Sequence, residues 1–238
     1  IFVVVGVGVN RQMPTRDPAE RRSGTGGFAL MGETSMPVLE DMNSPRGRGL
    51  LGLDPDIMRD VRIVSLRVKD GDDAGCLNLN RAQDVRVLGV DPFEFAQRGA
   101  FVFTRALGNR LDGGAWMNLS SGEWDMPSSS ARLISGIADD TVITWGLGAG
   151  LGTSGNPVTV RSDAGVPLTV QFVAGLGNSI FQGNILVSEE TFRQTFPSVS
   201  GYRMFLVDAP PGRTESGAAE LSRALTDYGL ELSPTATR

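Results

Sequence analysis

Apolar and polar positions along this chain fall into short blocks whose period switches from strand-like to helix-like and back, most clearly near its two ends. Val61-Arg-Ile-Val-Ser-Leu-Arg-Val68 sets Val61 and Ile63 on one face before continuing apolar, and predicts a strand. Phe28-Ala-Leu-Met-Gly-Glu-Thr-Ser-Met36 opens apolar enough for an earlier one. Between them, Pro37 offers the start of a short helix through Val38, Leu39 and Met42. Ser44-Pro45 offers a second start, with the hydroxyl as N-cap and proline at the first helical position.

The C-terminal part repeats this order. Tyr202-Arg-Met-Phe-Leu-Val207 is a nearly all-apolar run, as expected of a buried strand, and Pro210-Pro211-Gly212 breaks it. A helix follows, with Thr214 or Ser216 as its cap and Glu215 near its positive end. Its apolar stripe falls at Ala218, Leu221, Leu225 and Tyr228, and Gly229 stops it. Leu230-Glu-Leu-Ser233 reads as the next strand. Strand, helix and strand in so short a stretch predict a βαβ unit with parallel strands and a right-handed crossover. Two such units predict an α+β, ferredoxin-like layer built from both ends of the chain, with its helices on a single face.

Residues 85–200 have another texture. Val85–Val90, Ala100–Thr104, Thr141–Trp145, Pro157–Val160, Leu168–Val173 and Ile185–Val187 are short β-rich runs, separated by glycine-rich connections such as Gly146–Gly152. They predict a mostly β insertion, with brief helices opening at Asp91-Pro92 and at Ser188-Glu189-Glu190. Residues 10–27, polar and rich in glycine and proline, read as a loop. Residues 1–9 are wholly apolar. They suit a buried strand or the last turns of a membrane helix, although as a helix they rise only about 13 Å of the roughly 30 Å that a bilayer requires.

Composition narrows the chemistry. The chain has 238 residues, enough to bury a substantial core, with 22 basic and 27 acidic side chains and a net charge of −5. That balance argues against a broad nucleic-acid footprint. With no histidine there is no Ser-His-Asp triad and no imidazole metal site. A single cysteine, Cys76, precludes an intrachain disulfide, a thiolate zinc site and an iron–sulfur cluster, and reads as a small buried core residue.

The remaining motifs lack parts that their chemistry needs. Asp70-Gly71-Asp72-Asp73 has Arg81 where an EF-hand loop requires its bidentate glutamate, and reads as a turn after a strand. The glycine strings at 24–27, 146–152 and 175–177 lack the lysine of a P-loop and the strand–helix context of a dinucleotide fold. Ser23-Gly24-Thr25-Gly26 is not a nucleophile elbow. Asp139-Asp140 and Glu189-Glu190 are pairs from which glycoside chemistry can in principle be built, with nothing in the sequence to tune one carboxyl above the other. No catalytic residue, cofactor or metal ligand is assigned.

Several longer strings carry a resemblance. Arg21-Arg-Ser-Gly-Thr-Gly-Gly-Phe-Ala-Leu-Met-Gly-Glu-Thr-Ser35, Asp72-Asp-Ala-Gly-Cys-Leu-Asn-Leu79, Gly177–Glu189 and Gly201-Tyr-Arg-Met-Phe-Leu-Val-Asp208 together resemble the extracytoplasmic domain of FtsX-like ABC transporter permeases, the MacB and LolC type. The resemblance spans nearly the whole chain. It implies a porter-like α+β subdomain, residues 1–84 and 201–238, and an inserted β-rich subdomain, residues 85–200. It also implies that residues 1–9 end a transmembrane helix. It implies no chemistry in this domain, because the ATPase is a separate domain or subunit. The implied role is coupling of ATP-driven motion to a substrate, a second permease copy, or a periplasmic adaptor or lipoprotein. The alternatives are a free-standing secreted binding module and an acidic-pair hydrolase. Candidate partner contacts are Asp72, Asp73 and Asn78 in one loop, and Phe181, Gln182 and Asn184 in a turn where an aromatic and two amides sit beside glycine; the other reading of this turn makes Phe181 core and has the amides hold the turn. The domain alone is expected to be a monomer or weak dimer.

Overall fold

The computed structural model describes residues 20–71, 85–120, 124 and 125, 132–152 and 154–237. Residues 1–9, Asp72, Asp73, Cys76 and Asn78 lie outside them. The fold is mixed α+β, with one large mixed sheet and few helices. The strands are β1 (Leu30–Val38), β2 (Arg62–Lys69), β3 (Arg86–Val90), β4 (Phe103–Ala106), β5 (Trp124–Asp125), β6 (Arg132–Asp139), β7 (Val158–Arg161), β8 (Pro167–Leu176), β9 (Asn184–Ser188), β10 (Tyr202–Asp208) and β11 (Glu231–Pro234). The α-helices are α1 (Pro45–Leu50), α2 (Pro92–Arg98), α3 (Glu189–Thr195) and α4 (Thr214–Ala224).

The strands run in the order β11-β1-β10-β2-β3-β9-β6-β8-β4, with β5 beside β6 and β7 beside β8. β1 is antiparallel to β10 and β11, and β10 is antiparallel to β2. It follows that β1 and β2 are parallel, as are β10 and β11, each pair separated by one strand of the other. This interleaving is the split βαβ order of a ferredoxin-like sheet. β10 is buried on both faces: Phe205 and Val207 pack with Leu30, Ile63, Leu221 and Leu225, whereas Met204 and Leu206 pack with Met31, Val64 and Leu66. Its uninterrupted apolar run is the consequence.

β2 also pairs with β3 through Arg67–Lys69, so the sheet continues into the 85–200 stretch without an edge. β3 and β9 are parallel, and so are β6 and β8. The largest core runs across this junction. It joins Met31, Leu66 and Leu206 to Leu88, Phe95, Phe101, Trp116 and Phe181. Phe95 stacks on Trp116 at 4.7 Å, and the indole N–H of Trp116 donates to the Ala100 carbonyl at 3.0 Å.

The helix starts follow local capping chemistry. Ser44 Oγ accepts from Gly47 N–H, Asp91 accepts from Phe93 and Glu94, and Ser188 Oγ accepts from Thr191. Three expectations are corrected. Pro37 opens no helix; it lies inside β1, beyond the residues that pair with β11 and within a register irregularity against β10, where its missing N–H removes nothing from the ladder. Thr141–Trp145 forms no strand: Asp139 accepts from the Thr141 N–H and hydroxyl, and the chain turns into a π-helical segment, Val142–Gly146. Neither Thr214 nor Ser216 caps α4. Arg213 occupies that position without a side-chain bond, and the Ser216 hydroxyl donates to its carbonyl.

Candidate interaction site

A cleft of about 1340 Å³ opens around α3. β6 contributes Leu133 and Ile134, β8 contributes Leu168, and Phe196 and Val199 follow α3, giving an apolar wall. Arg67, Glu189, Glu190 and Arg193 give it charges of both signs. Ser135 also lines the cleft; it is 4% exposed, and its hydroxyl makes no hydrogen bond among the described residues.

Arg67 organises the polar side. Its Nε donates to Glu189 Oε1 at 2.9 Å, and its Nη1 reaches the carbonyls of Val199 and Gly201, each at 3.3 Å. Its guanidinium lies 4.8 Å from the centre of the Tyr202 ring, and the Tyr202 hydroxyl donates to the same Glu189 oxygen at 2.9 Å. Burial pushes the Tyr202 phenol above its ordinary range, and the hydrogen bond to Glu189 and its negative charge push it further. An arginine with carboxylate, carbonyl and aromatic partners is a fixed post rather than a free binding charge. The sequence held one sign of it: Arg67 stands between apolar Leu66 and Val68 in β2.

The turn singled out in the sequence divides in two. Phe181 is fully buried, with ring centres 5.0 Å from Phe101 and 6.3 Å from Phe95. Asn184 is buried as well, and its Nδ2 donates to the carbonyls of Phe181 and Gln182 at 3.2 and 3.1 Å. Gln182 is exposed at the tip of the turn. The structure therefore brings Phe181 and Asn184 together as supports of the turn and leaves Gln182 facing outward. Their burial was not written in the local sequence, because the rings that enclose Phe181 come from residues far away along the chain.

The acidic pairs point to different partners. Asp139 is fully buried and accepts from Thr141 and from the Ser179 N–H at 2.8 Å, while Asp140 pairs with Arg105. Glu189 is held by Arg67, and Glu190 is exposed. Among the described residues, no group of three or more carboxylate or thiol side chains is placed to hold a metal ion. No helix among them is long and apolar enough to cross a membrane.

No protein-family model and no curated protein sequence matches the chain. Among solved structures, the chain is similar to the crystal structure of the periplasmic region of MacB from Actinobacillus actinomycetemcomitans, with a TM-score of 0.42 and 13% sequence identity over 90% of this chain and 92% of that one.

Proposed function

We propose that this chain is the extracytoplasmic domain of an FtsX-like ABC transporter permease, coupling ATP-driven motion across the membrane to the handling of an exported substrate or a partner. The observation that carries the reading is the meeting of the two ends of the fold. Leu30, at the start of β1, stands opposite Pro234, at the end of β11, and the Thr235 hydroxyl donates to the Phe28 carbonyl. A domain whose entry and exit strands are adjacent suits insertion between two membrane spans. The resemblance of the strings at 21–35, 177–189 and 201–208 supports the same reading, and the first two meet in space through the Ile180 N–H, which donates to the Gly24 carbonyl at 3.0 Å.

In this reading, residues 1–84 and 201–238 form the porter-like subdomain and 85–200 the inserted one, joined by the β2–β3 ladder and the core that spans it. The ATPase and a second permease copy are partners through the membrane part. A periplasmic adaptor or lipoprotein meets the domain at Gln182 and at Asp72, Asp73 and Asn78. The domain itself performs no chemistry. The test is the complete reading frame, expressed in membranes with a cysteine at Gln182. An apolar segment of about 20 residues before this chain, further spans after it, and labelling by an impermeant maleimide from the extracytoplasmic side are expected. A frame lacking those spans, or labelling from the cytoplasmic side alone, overturns the proposal.

A further inference from the structure

Residues 20–27 run ahead of β1 from an exposed start at Glu20–Arg22 to buried Ser23, Gly26 and Gly27, without one apolar side chain beyond glycine. Hydrogen bonds and close backbone contacts hold them down. The Arg21 carbonyl accepts from the Phe101 N–H at 2.8 Å and the Gly24 carbonyl from the Ile180 N–H at 3.0 Å. Arg98 donates to the carbonyls of Gly26 and Gly27, pairs with Asp208 and lies over the Phe28 ring at 4.3 Å. The seat is shaped for backbone alone. A Cβ at Gly24 would fall on the Asn178 carbonyl oxygen, and one at Gly26 would meet the Phe101 ring at 2.7 Å.

The residues under this segment carry a second observation. Among the described non-glycine residues, positive φ occurs at Phe101 (70°), Asn109 (55°) and Asn178 (45°). Two of these three touch the segment. For a bulky residue such as Phe101, the left-handed region is a strained conformation that persists only where its surroundings enforce it.

We propose that residues 20–27 are a releasable strap, a two-state element that docks on Phe101, Asn178 and Arg98 and opens without unfolding the sheet beneath. Docking secures hydrogen bonds and covers one face of the Phe101 ring but buries no apolar side chain of the strap itself, which places the strap at the low-stability end of the fold. It also holds Phe101 in strained backbone, and release removes that strain. Phe28, fully buried, is the fixed point at which the strap joins the core. Because the strap leads into β1 yet grips the 85–200 stretch, its state decides whether a displacement arriving from the N-terminal side reaches that stretch directly. The device stands or falls independently of the transporter reading.

The test is native-state hydrogen exchange on the whole chain, following the amides of Phe101 and Ile180 against those of Leu66 and Leu206 in the β2–β10 ladder. In the unmodified protein, Phe101 and Ile180 are expected to exchange at least tenfold faster than Leu66 and Leu206, at a rate insensitive to low urea, the signature of an opening that exposes little surface. Gly24→Ala is expected to speed exchange at Phe101 and Ile180 a further tenfold or more while the ladder amides hold. Should Gly24→Ala fail to fold, Arg98→Gln, which frees the Gly26 and Gly27 carbonyls, is expected to produce the same local pattern. Exchange at Phe101 and Ile180 that tracks the ladder amides, with the same urea dependence, overturns the proposal. So does a variant that accelerates all four amides equally.

Discussion

Arg67 on β2 and Glu189 at the first position of α3 form a 2.9 Å ion pair between the sheet built from the chain's ends and the helix of the central stretch. Their side chains are 13% and 27% exposed, so the pair is shielded but not dry. Arg67 is further engaged by two carbonyls and the Tyr202 ring, which offsets the desolvation of its charge. Arg67→Ala leaves Glu189 and both carbonyls short of a donor, and a loss of about 2–4 kcal/mol is expected in urea unfolding. Arg67→Lys is expected to recover only part of it, since one ammonium cannot reproduce the planar fork.

Phe181 and Gln182 are neighbours with opposite expected behaviour. Phe181→Ala empties a site among Phe95, Phe101 and Trp116 and is expected to destabilise the fold by about 3–5 kcal/mol. Gln182→Ala is expected to change stability by less than about 0.5 kcal/mol. Paired urea titrations check both. Under the proposed function, Gln182→Ala is also the informative variant for transport, because any defect it causes cannot be traced to misfolding.

Two groups give the fold a pH dependence of opposite sense. Glu220, 7% exposed, is lowered below the ordinary glutamate value by its hydrogen bond from Arg223, against burial, with the Asp54 N–H and the Arg223 charge assisting. Its contribution is therefore present above the unfolded value, near 4.5, and is lost as pH falls through the lower folded value. Glu220→Gln is expected to flatten the acid limb of the stability profile. Tyr202 is raised, so its contribution is complete below the unfolded value, near 10, and is lost as pH rises through the folded one. Tyr202→Phe is expected to remove that alkaline loss. Thermal unfolding across the pH range reads both limbs.

Because β2 pairs with both β10 and β3 and one core spans the junction, unfolding is expected to be a single transition. Tyrosine and tryptophan fluorescence should coincide with far-ultraviolet circular dichroism across a urea titration. Two separated transitions would show that 85–200 unfolds apart from the chain's ends.

The purified chain is expected to hydrolyse no nucleotide. Its one lysine, Lys69, lies 3.9 Å from Asp163 and over the Phe196 ring, engaged at those partners. A reproducible hydrolysis rate abolished by a substitution within this chain would refute the expectation.

What the sequence determined by itself was whatever is settled within a few residues. The starts of α1, α2 and α3 were legible at Ser44, Asp91 and Ser188 because a cap closes its hydrogen bond two or three positions on. β2 and β10 were legible because burial leaves a dense apolar run whichever strand lies alongside. β6 was missed: Arg132–Asp139 carries serine and glycine at its centre and becomes a strand through its parallel ladder with β8, which arrives later in the chain. Thr141–Trp145 has β-branched residues suited to a strand, yet buried Asp139 turns the chain at its start. The tertiary structure alone decided that Phe181 is core and Gln182 surface, that Arg67 meets Glu189, and that Gly24 rests on Asn178. Each is a contact between residues distant in sequence, and burial and charge pairing belong to the surroundings that folding assembles.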